Sequence, residues 1–114
     1  DLWQYGKQAA EESTNREDNR PKTFLLTFEE EVPKDLFLDF IDEVKEDAYR
    51  IKGFFDTEDG MFKLDVVASR VDCVPYENSE LKNTIVIHSK VGNLLIKPFF
   101  EKWRKYFDIE MKLR

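Results

Sequence analysis

The chain has 114 residues and a formal net charge of −6, the size of one domain able to bury a core without disulfide staples. So acidic a balance, with a pI near 4.9, argues against bulk electrostatic binding to nucleic acid or to an anionic membrane, since both need a cationic surface. Charged residues make up 37% of the chain, yet aromatic residues reach 14%, ten of them Phe; this is a charged shell around an aromatic core, not a disordered acidic chain.

Residues 1 to 10, DLWQYGKQAA, read as a short helix with Trp3 as its only large anchor. Residues 11 to 22, EESTNREDNRPK, lack any large apolar side chain and carry Pro21, which is linker composition. Residues 1–22 are therefore a lead-in helix and polar linker, and 23–114 are the compact domain. In TFLLTFE, residues 23 to 29, Phe24, Leu26 and Phe28 alternate with Thr23, Leu25 and Thr27, and this period of two predicts a strand. The period then changes. Leu36, Phe37, Phe40, Ile41 and Val44 form one stripe of an amphipathic helix, with Pro33 near its start and Glu30, Glu31 and Asp35 at the positive end of its dipole. Nine acids and two lysines lie between Glu29 and Asp47, so the outer face of that helix is strongly negative.

YRIKGFF and MFKLDVVASR follow, joined by DTEDG, whose Asp-Gly pair favours a hairpin. In the second of these Phe62, Leu64, Val66 and Ala68 share a face, and Val67 is an apolar exception on the other. VDCVPY, 71 to 76, predicts a strand cut short at Pro75. TIVIHS, 84 to 89, is dense in β-branched residues and reads as a central strand buried on both faces. Asn93 is placed to cap a second helix, in which Leu95, Ile96, Phe99, Phe100, Trp103, Tyr106 and Phe107 form a broad stripe. Pro98 forces that helix either to start near Lys97 or to kink. IEMKL, 109 to 113, reads as a last edge strand. The fold class is α+β, with a mainly antiparallel four- to five-stranded sheet and two main helices on one face. A ferredoxin-like arrangement is compatible, and the β-α-β opening makes the first two strands parallel if they are neighbours.

The residues with chemical potential are few. His88 is the sole histidine and Ser89 adjoins it, but neighbours on a strand point to opposite faces and are badly placed as base and nucleophile. Cys73 is the sole cysteine. It can form no intramolecular disulfide and no thiolate cage, reads as a small buried hydrophobe, and fits a reducing, cytoplasmic setting. Asp35, Asp39, Asp42, Glu43 and Glu46 crowd the first helix without a loop to wrap an ion, so they form a solvated face or a docking surface for a basic partner. Lys97, Lys102, Arg104 and Lys105 give the second helix the opposite sign. The glycines Gly6, Gly53, Gly60 and Gly92 are isolated, so no phosphate loop is present. No run of about 18 apolar residues spans a membrane, and no signal peptide opens the chain. No catalytic constellation emerges and no enzyme activity is expected of these residues. The chain opens on Asp1 rather than Met and is read as a piece of a longer or processed protein.

Arg50 and Lys52 pose the open question. Their spacing puts both on one strand face, with Gly53 beside them. They are either the wet side of a half-buried strand, pairing with Asp65 across the hairpin, or a surface that meets an anionic partner. Gly53 serves a close strand approach or a bulge.

The order of elements, with Arg50-Ile51-Lys52-Gly53 after the first helix and Thr84-Ile85-Val86-Ile87 before the last, resembles the C-terminal domain of CobW-type P-loop GTPases over about residues 23 to 107. His88 stands where that family usually has glycine, and the linker lacks the histidines common there. The resemblance implies a non-catalytic accessory domain serving client recognition, or coupling GTPase state to delivery of a metal or cobalamin-related cofactor. It implies, for a full-length parent, GTP, Mg and a transition metal such as zinc or cobalt, with no cofactor on this part. The implied partners are the N-terminal GTPase domain of the same chain and a client metalloenzyme or cobalamin-related protein. Arg50, Lys52 and Gly53 are then the leading interaction residues, and His88, Lys97, Lys102, Arg104 and Lys105 weaker ones. The edge at 109–113 offers a route to a homodimer. The alternative is a stand-alone module binding a small ligand on its sheet. A large apolar pocket there would favour it, and a patch without concavity would favour docking.

Overall fold

The computed structural model describes residues 22–77, 80 and 83–114. The expected lead-in helix and linker therefore lie outside the described residues, except for Lys22. Strand β1 (Lys22–Phe28) leads to helix α1 (Lys34–Val44), then to β2 (Ala48–Thr57), β3 (Gly60–Val67), β4 (Arg70–Pro75) and β5 (Thr84–Ser89). Helix α2 (Ile96–Tyr106) and β6 (Met111–Leu113) complete the chain. The strands form one six-stranded sheet in the order β4-β3-β2-β5-β1-β6, and every pairing is antiparallel. Both short segments marked by Pro75 and by IEMKL join the sheet as its edges, so it has six strands rather than four or five.

The subset β6-β1-β5-β2, with α1 between β1 and β2 and α2 between β5 and β6, is a β-α-β-β-α-β arrangement of the ferredoxin-like kind. The hairpin β3-β4 widens it on the β2 side. β1 and β2 run in the same direction, but β5 lies between them, so the two do not pair.

Both helices pack on one face, and that face holds the core. Its strand side chains are Leu26 and Phe28 from β1, Ile51 and Phe55 from β2, Leu64 and Val66 from β3, and Ile85 and Ile87 from β5. Phe37, Phe40, Ile41 and Val44 cover them from α1, and Phe99 and Trp103 from α2. The rings interlock. Phe37 stacks on Phe55 with centroids 4.2 Å apart, Trp103 lies 5.0 Å from Phe28 and 4.4 Å from Phe107, and Phe40 meets Phe99 edge-on at 5.1 Å. The Trp103 indole N–H donates to the Ile109 carbonyl at 2.5 Å, which satisfies the one polar atom of a buried ring.

Several local expectations change once the layers are known. Leu36 falls off the apolar stripe and is exposed. β5 is central but buried on one face only, with Val86 and His88 outward, because both described helices pack on the other side. Asn93 does not cap α2. A 3₁₀ turn, Gly92–Leu95, precedes the helix, and the Asn93 carbonyl accepts the Ile96 N–H. Pro98 then sits in the first turn of α2 and costs no helical bond, so α2 has no kink to explain.

Two backbone positions carry measurable strain or crowding. A Cβ on Gly53 would lie 2.7 Å from the Thr84 carbonyl oxygen and 3.2 Å from Ile85 Cα. Gly53 thus serves the close approach of β2 to β5, while the bulge in that pairing falls at Tyr49, between Ala48 and Arg50. Ala68, in the two-residue turn between β3 and β4, has φ of 55°, a region that costs an L-residue roughly 1–2 kcal/mol. Gly53→Ala is expected to destabilise the domain by about 1–3 kcal/mol through overpacking against backbone. Ala68→Gly is expected to stabilise it by about 1 kcal/mol. Thermal melts check both, as 1 kcal/mol moves the midpoint of a domain this size by about 4–8 °C.

Candidate functional site

Among the described residues, nothing covers the face of the sheet opposite the helices. The pairings arrange its outward side chains in three rows. The first is Thr23-His88-Arg50-Val67-Arg70, the second Leu25-Val86-Lys52-Asp65-Asp72, and the third Thr27-Thr84-Phe54-Lys63-Val74. Four strands therefore bring apolar side chains into solvent: Leu25 and Val86 are each 39% exposed, Val67 52% and Val74 50%. Tyr49, 49% exposed, joins them through its bulge, which puts its ring 5.4 Å from that of His88. The Lys90 ammonium sits 5.7 Å from the same Tyr49 ring. Cations outnumber carboxylates across the three rows, although the chain as a whole is acidic.

Arg50 and Lys52 lie on this face, as the period of two requires, but their surroundings differ. Asp65 stands directly across from Lys52 in the β2–β3 register. Its carboxylate is nevertheless taken by Arg50, whose Nε and Nη2 donate to Oδ1 and Oδ2, both at 3.3 Å. The guanidinium fork matches two carboxylate oxygens where an ammonium cannot. So exposed a pair contributes no more than about 1 kcal/mol, but it holds the arginine in place. Lys52 has no ion-pair partner among the described residues. Gly53 is on the core face and offers no side chain; its role is to seat β2 against β5.

His88 is outward and Ser89 inward and fully buried. The Ser89 hydroxyl donates to the Gly92 carbonyl and accepts from the Val91 N–H, both at 3.0 Å, so it is spent on the turn into α2. Cys73 lies on the core face at the far end of the row Leu26-Ile85-Gly53-Leu64, half-buried against the core. Burial pushes its thiol up, with Lys34 opposing weakly, which is the setting of an inert thiol. His88 and Cys73 thus stand on opposite faces of the sheet. No group of three or more His, Cys, Asp and Glu side chains among the described residues is arranged to hold a metal ion.

The cations of α2 divide. Lys97 and Arg104 are exposed, whereas Lys102 and Lys105 reach α1. Lys102 Nζ donates to the Glu43 carbonyl at 3.1 Å, and Lys105 Nζ lies 3.5 Å from the Glu43 carboxylate. The Tyr106 hydroxyl donates to the same carboxylate. Glu43, one of the acids that seemed merely solvated, is therefore the knot between the helices. No sequence signal could have paired it with a tyrosine 63 residues away.

Clefts are found elsewhere on the domain. One of about 470 Å³ is lined by Glu31, Val32, Pro33, Lys34, Asp35, Thr57, Glu58 and Asp59, at the end of the sheet where α1 starts, and it is acidic. Another, of about 190 Å³, lies by β6 and is lined by Thr27, Phe28, Glu29, Glu30, Ile109, Glu110 and Lys112. Neither is lined by Arg50, Lys52, Val67 or Val86. The open face carries an amphipathic patch of cations and aliphatic side chains that lines neither of these two clefts. No helix among the described residues is long and apolar enough to cross a membrane.

The family model described as the cobalamin synthesis protein cobW C-terminal domain matches residues 22–103, from the first residue of β1 to Trp103 in α2. No curated protein and no solved structure matches the chain.

The Glu43 knot gives a pH signature. The bond to Tyr106 holds the Glu43 carboxyl below its ordinary value, helped by Lys105 and Lys102 and opposed by burial. The same bond, with burial, pushes Tyr106 up to about 12. Tyr106 is raised, so its contribution is complete below the ordinary tyrosine range and is lost as pH climbs through about 12. Glu43 is lowered, so its contribution is present above the ordinary carboxylate range and is lost as pH falls through the lowered value. In an alkaline titration followed by tyrosinate absorbance, one tyrosine is expected to ionise near 12, and to move toward the ordinary value in Glu43→Gln. Tyr106→Phe is expected to lower the melting midpoint at neutral pH, with the difference shrinking in acid.

Proposed function

The chain belongs to the family of the cobalamin synthesis protein cobW C-terminal domain, and we propose that it is the docking part of a CobW-type GTPase, receiving the P-loop GTPase domain on its open sheet face. The observation that carries this reading is the open face itself. Cations and aliphatic side chains are interleaved there on rigid strands, with Lys52 unpaired among the described residues. A protein partner with carboxylates around an apolar patch complements such a surface. The GTPase domain is the occupant because this domain, an accessory one by family, acts on a client only if it senses the nucleotide state. Binding free energy that differs between the GTP and GDP states is what would couple hydrolysis to delivery of a metal or a cobalamin-related cofactor.

The work on this domain's side is positioning. Asp65 accepts two hydrogen bonds from Arg50, so part of the arginine's charge is already met within the domain. Lys52, one row away, supplies the charge that a partner carboxylate can take. The apolar residues Leu25, Val67 and Val86 supply area that leaves water on contact, at about 25 cal/mol per Å². Client recognition by the same face is the competing occupant.

Calorimetric titration of the chain against a P-loop GTPase domain of the family, loaded with a GTP analogue or with GDP, tests this. Affinity is expected to differ between the two nucleotides, and Lys52→Ala is expected to weaken the tighter complex about tenfold. Arg50→Ala is expected to cost less, because its charge is already met by Asp65. Equal affinity in both nucleotide states, unmoved by Lys52→Ala, would return Lys52 to the solvated side of a strand and leave client docking as the better account.

A further inference from the structure

The edge of the sheet at β4 has a chemistry of its own. We propose that β4 joins β4 of a second copy of this chain, antiparallel and centred on Val71, so that two six-stranded sheets continue as one across a twofold axis. The inference is independent of the docking reading, because pairing at an edge leaves the open face of each sheet as it is.

The backbone carries the first part of the argument. The Tyr76 N–H donates to the Met61 carbonyl at 2.9 Å, one step beyond the Phe62–Pro75 pair. Ladder bonds alternate along an antiparallel pair, so Arg70, Asp72 and Val74 turn their backbone groups toward β3. Val71, Cys73 and Pro75 turn theirs outward. Pro75 has no N–H to give, so it removes no bond from the sheet and closes the edge at that end. Between it and the turn at Ala68 and Ser69, the N–H and carbonyl groups of Val71 and Cys73 have no strand beside them among the described residues. The β3–β4 register has no bulge and β4 has no lysine, so two of the usual devices that keep an edge from pairing are missing.

Charge and burial choose the occupant and the register. Asp72 stands directly opposite Asp65, a like-charge pair that costs stability. Arg50 takes the Asp65 carboxylate, and Arg70 Nε lies 3.1 Å from Asp72 Oδ2 with both side chains well exposed. A twofold axis at Val71 sets Arg70 opposite Asp72 of the second copy and Asp72 opposite that copy's Arg70. Both opposite-charge pairs then form on the free side of Asp72, away from Asp65. The same axis lets Val71 and its symmetry mate exchange N–H and carbonyl groups. Val71 and Cys73 are partly buried at the margin of the core, so a strand added beside them takes further apolar surface out of water. An axis at Asp72 would oppose two aspartates, and one at Cys73 would face Asp72 with Val74 and form no ion pair. The other edge, β6, is three residues long. The contact is narrower than a standard interface, so the dimer is weak and concentration-dependent.

Sedimentation velocity of the full chain, from about 10 μM to about 1 mM, tests this. The mean mass is expected to rise toward that of a dimer. Arg70→Asp or Asp72→Arg alone is expected to weaken association about tenfold. The two together restore the pairs with their signs exchanged and are expected to recover association. Val71→Cys combined with Cys73→Ser is expected to form a disulfide-linked dimer on mild oxidation, because the paired Cα atoms lie about 5.5 Å apart. Cys73 of the unsubstituted chain is expected not to, since its symmetry mate is about 13 Å away along the strand. A chain that stays monomeric over the whole range overturns the proposal. So does a dimer that Arg70→Asp leaves unchanged, a double exchange that fails to recover association, or a Val71→Cys variant that cross-links no faster than Cys73. Each of these results leaves nucleotide-dependent docking at Lys52 untouched.

Discussion

Trp103 is the residue on which the rest of the structure depends. Its ring reaches Phe28 of β1, Phe37 and Phe40 of α1, and Phe107 just past α2. Its indole N–H holds the Ile109 carbonyl and so turns the chain back toward β6. Each of those contacts lies on the same side of the sheet. A domain this small has apolar side chains for one such core, and both helices are spent on it. Among the described residues, the other side of the sheet is left uncovered as a direct result. Its exposed Leu25, Val67 and Val86 are what six strands and two helices leave over when the core forms on one face.

The two faces were readable in advance wherever the alternation was clean. TFLLTF placed Phe24, Leu26 and Phe28 inward and Leu25 outward, and YRIKGFF placed Arg50 and Lys52 together, because a period of two leaves no other choice. The helix stripes gave Phe37, Phe40, Ile41, Val44, Phe99 and Trp103 for the same kind of reason. Strand order was not readable. Nothing local in β1 or β2 says that β5 will come between them, and that insertion depends on packing across more than 50 residues. The same ignorance made β5 look buried on both faces: its β-branched run fits either case until the helices are known to share a side. Asn93 failed as a cap because the chain tightens into a 3₁₀ turn first, whose last residue, Leu95, is buried in the core.

The candidate site was half legible for a similar reason. Sequence spacing put Arg50 and Lys52 on one face and named Asp65 as a partner across the hairpin, but not which cation would win it. Register alone favours Lys52, which is directly opposite. The guanidinium fork overrides register by reaching diagonally to both oxygens. Tyr49 was hidden by its bulge, since a bulge breaks the period on which facial assignment relies. The paired lysines Lys102 and Lys105 looked like free surface charge. They belong to the contact between helices, which joins residues from opposite halves of the chain through Glu43.

One consequence of the one-sided core concerns approach rather than contact. Asp35, Asp39 and Asp42 are exposed on α1, and Glu46 in the 3₁₀ turn Lys45–Asp47 after it, with the core layer between the α1 acids and the open sheet face, where cations are in excess. The helix side is itself divided, with the exposed acids of α1 beside the exposed Lys97, Arg104 and Lys105 of α2. A partner with a negative patch is repelled from the α1 part of that side and drawn toward the cations of the sheet before any surfaces touch. This guidance acts over a distance set by the Debye length, about 8 Å at physiological ionic strength. Added salt would therefore slow encounter much more than it would loosen a complex already formed.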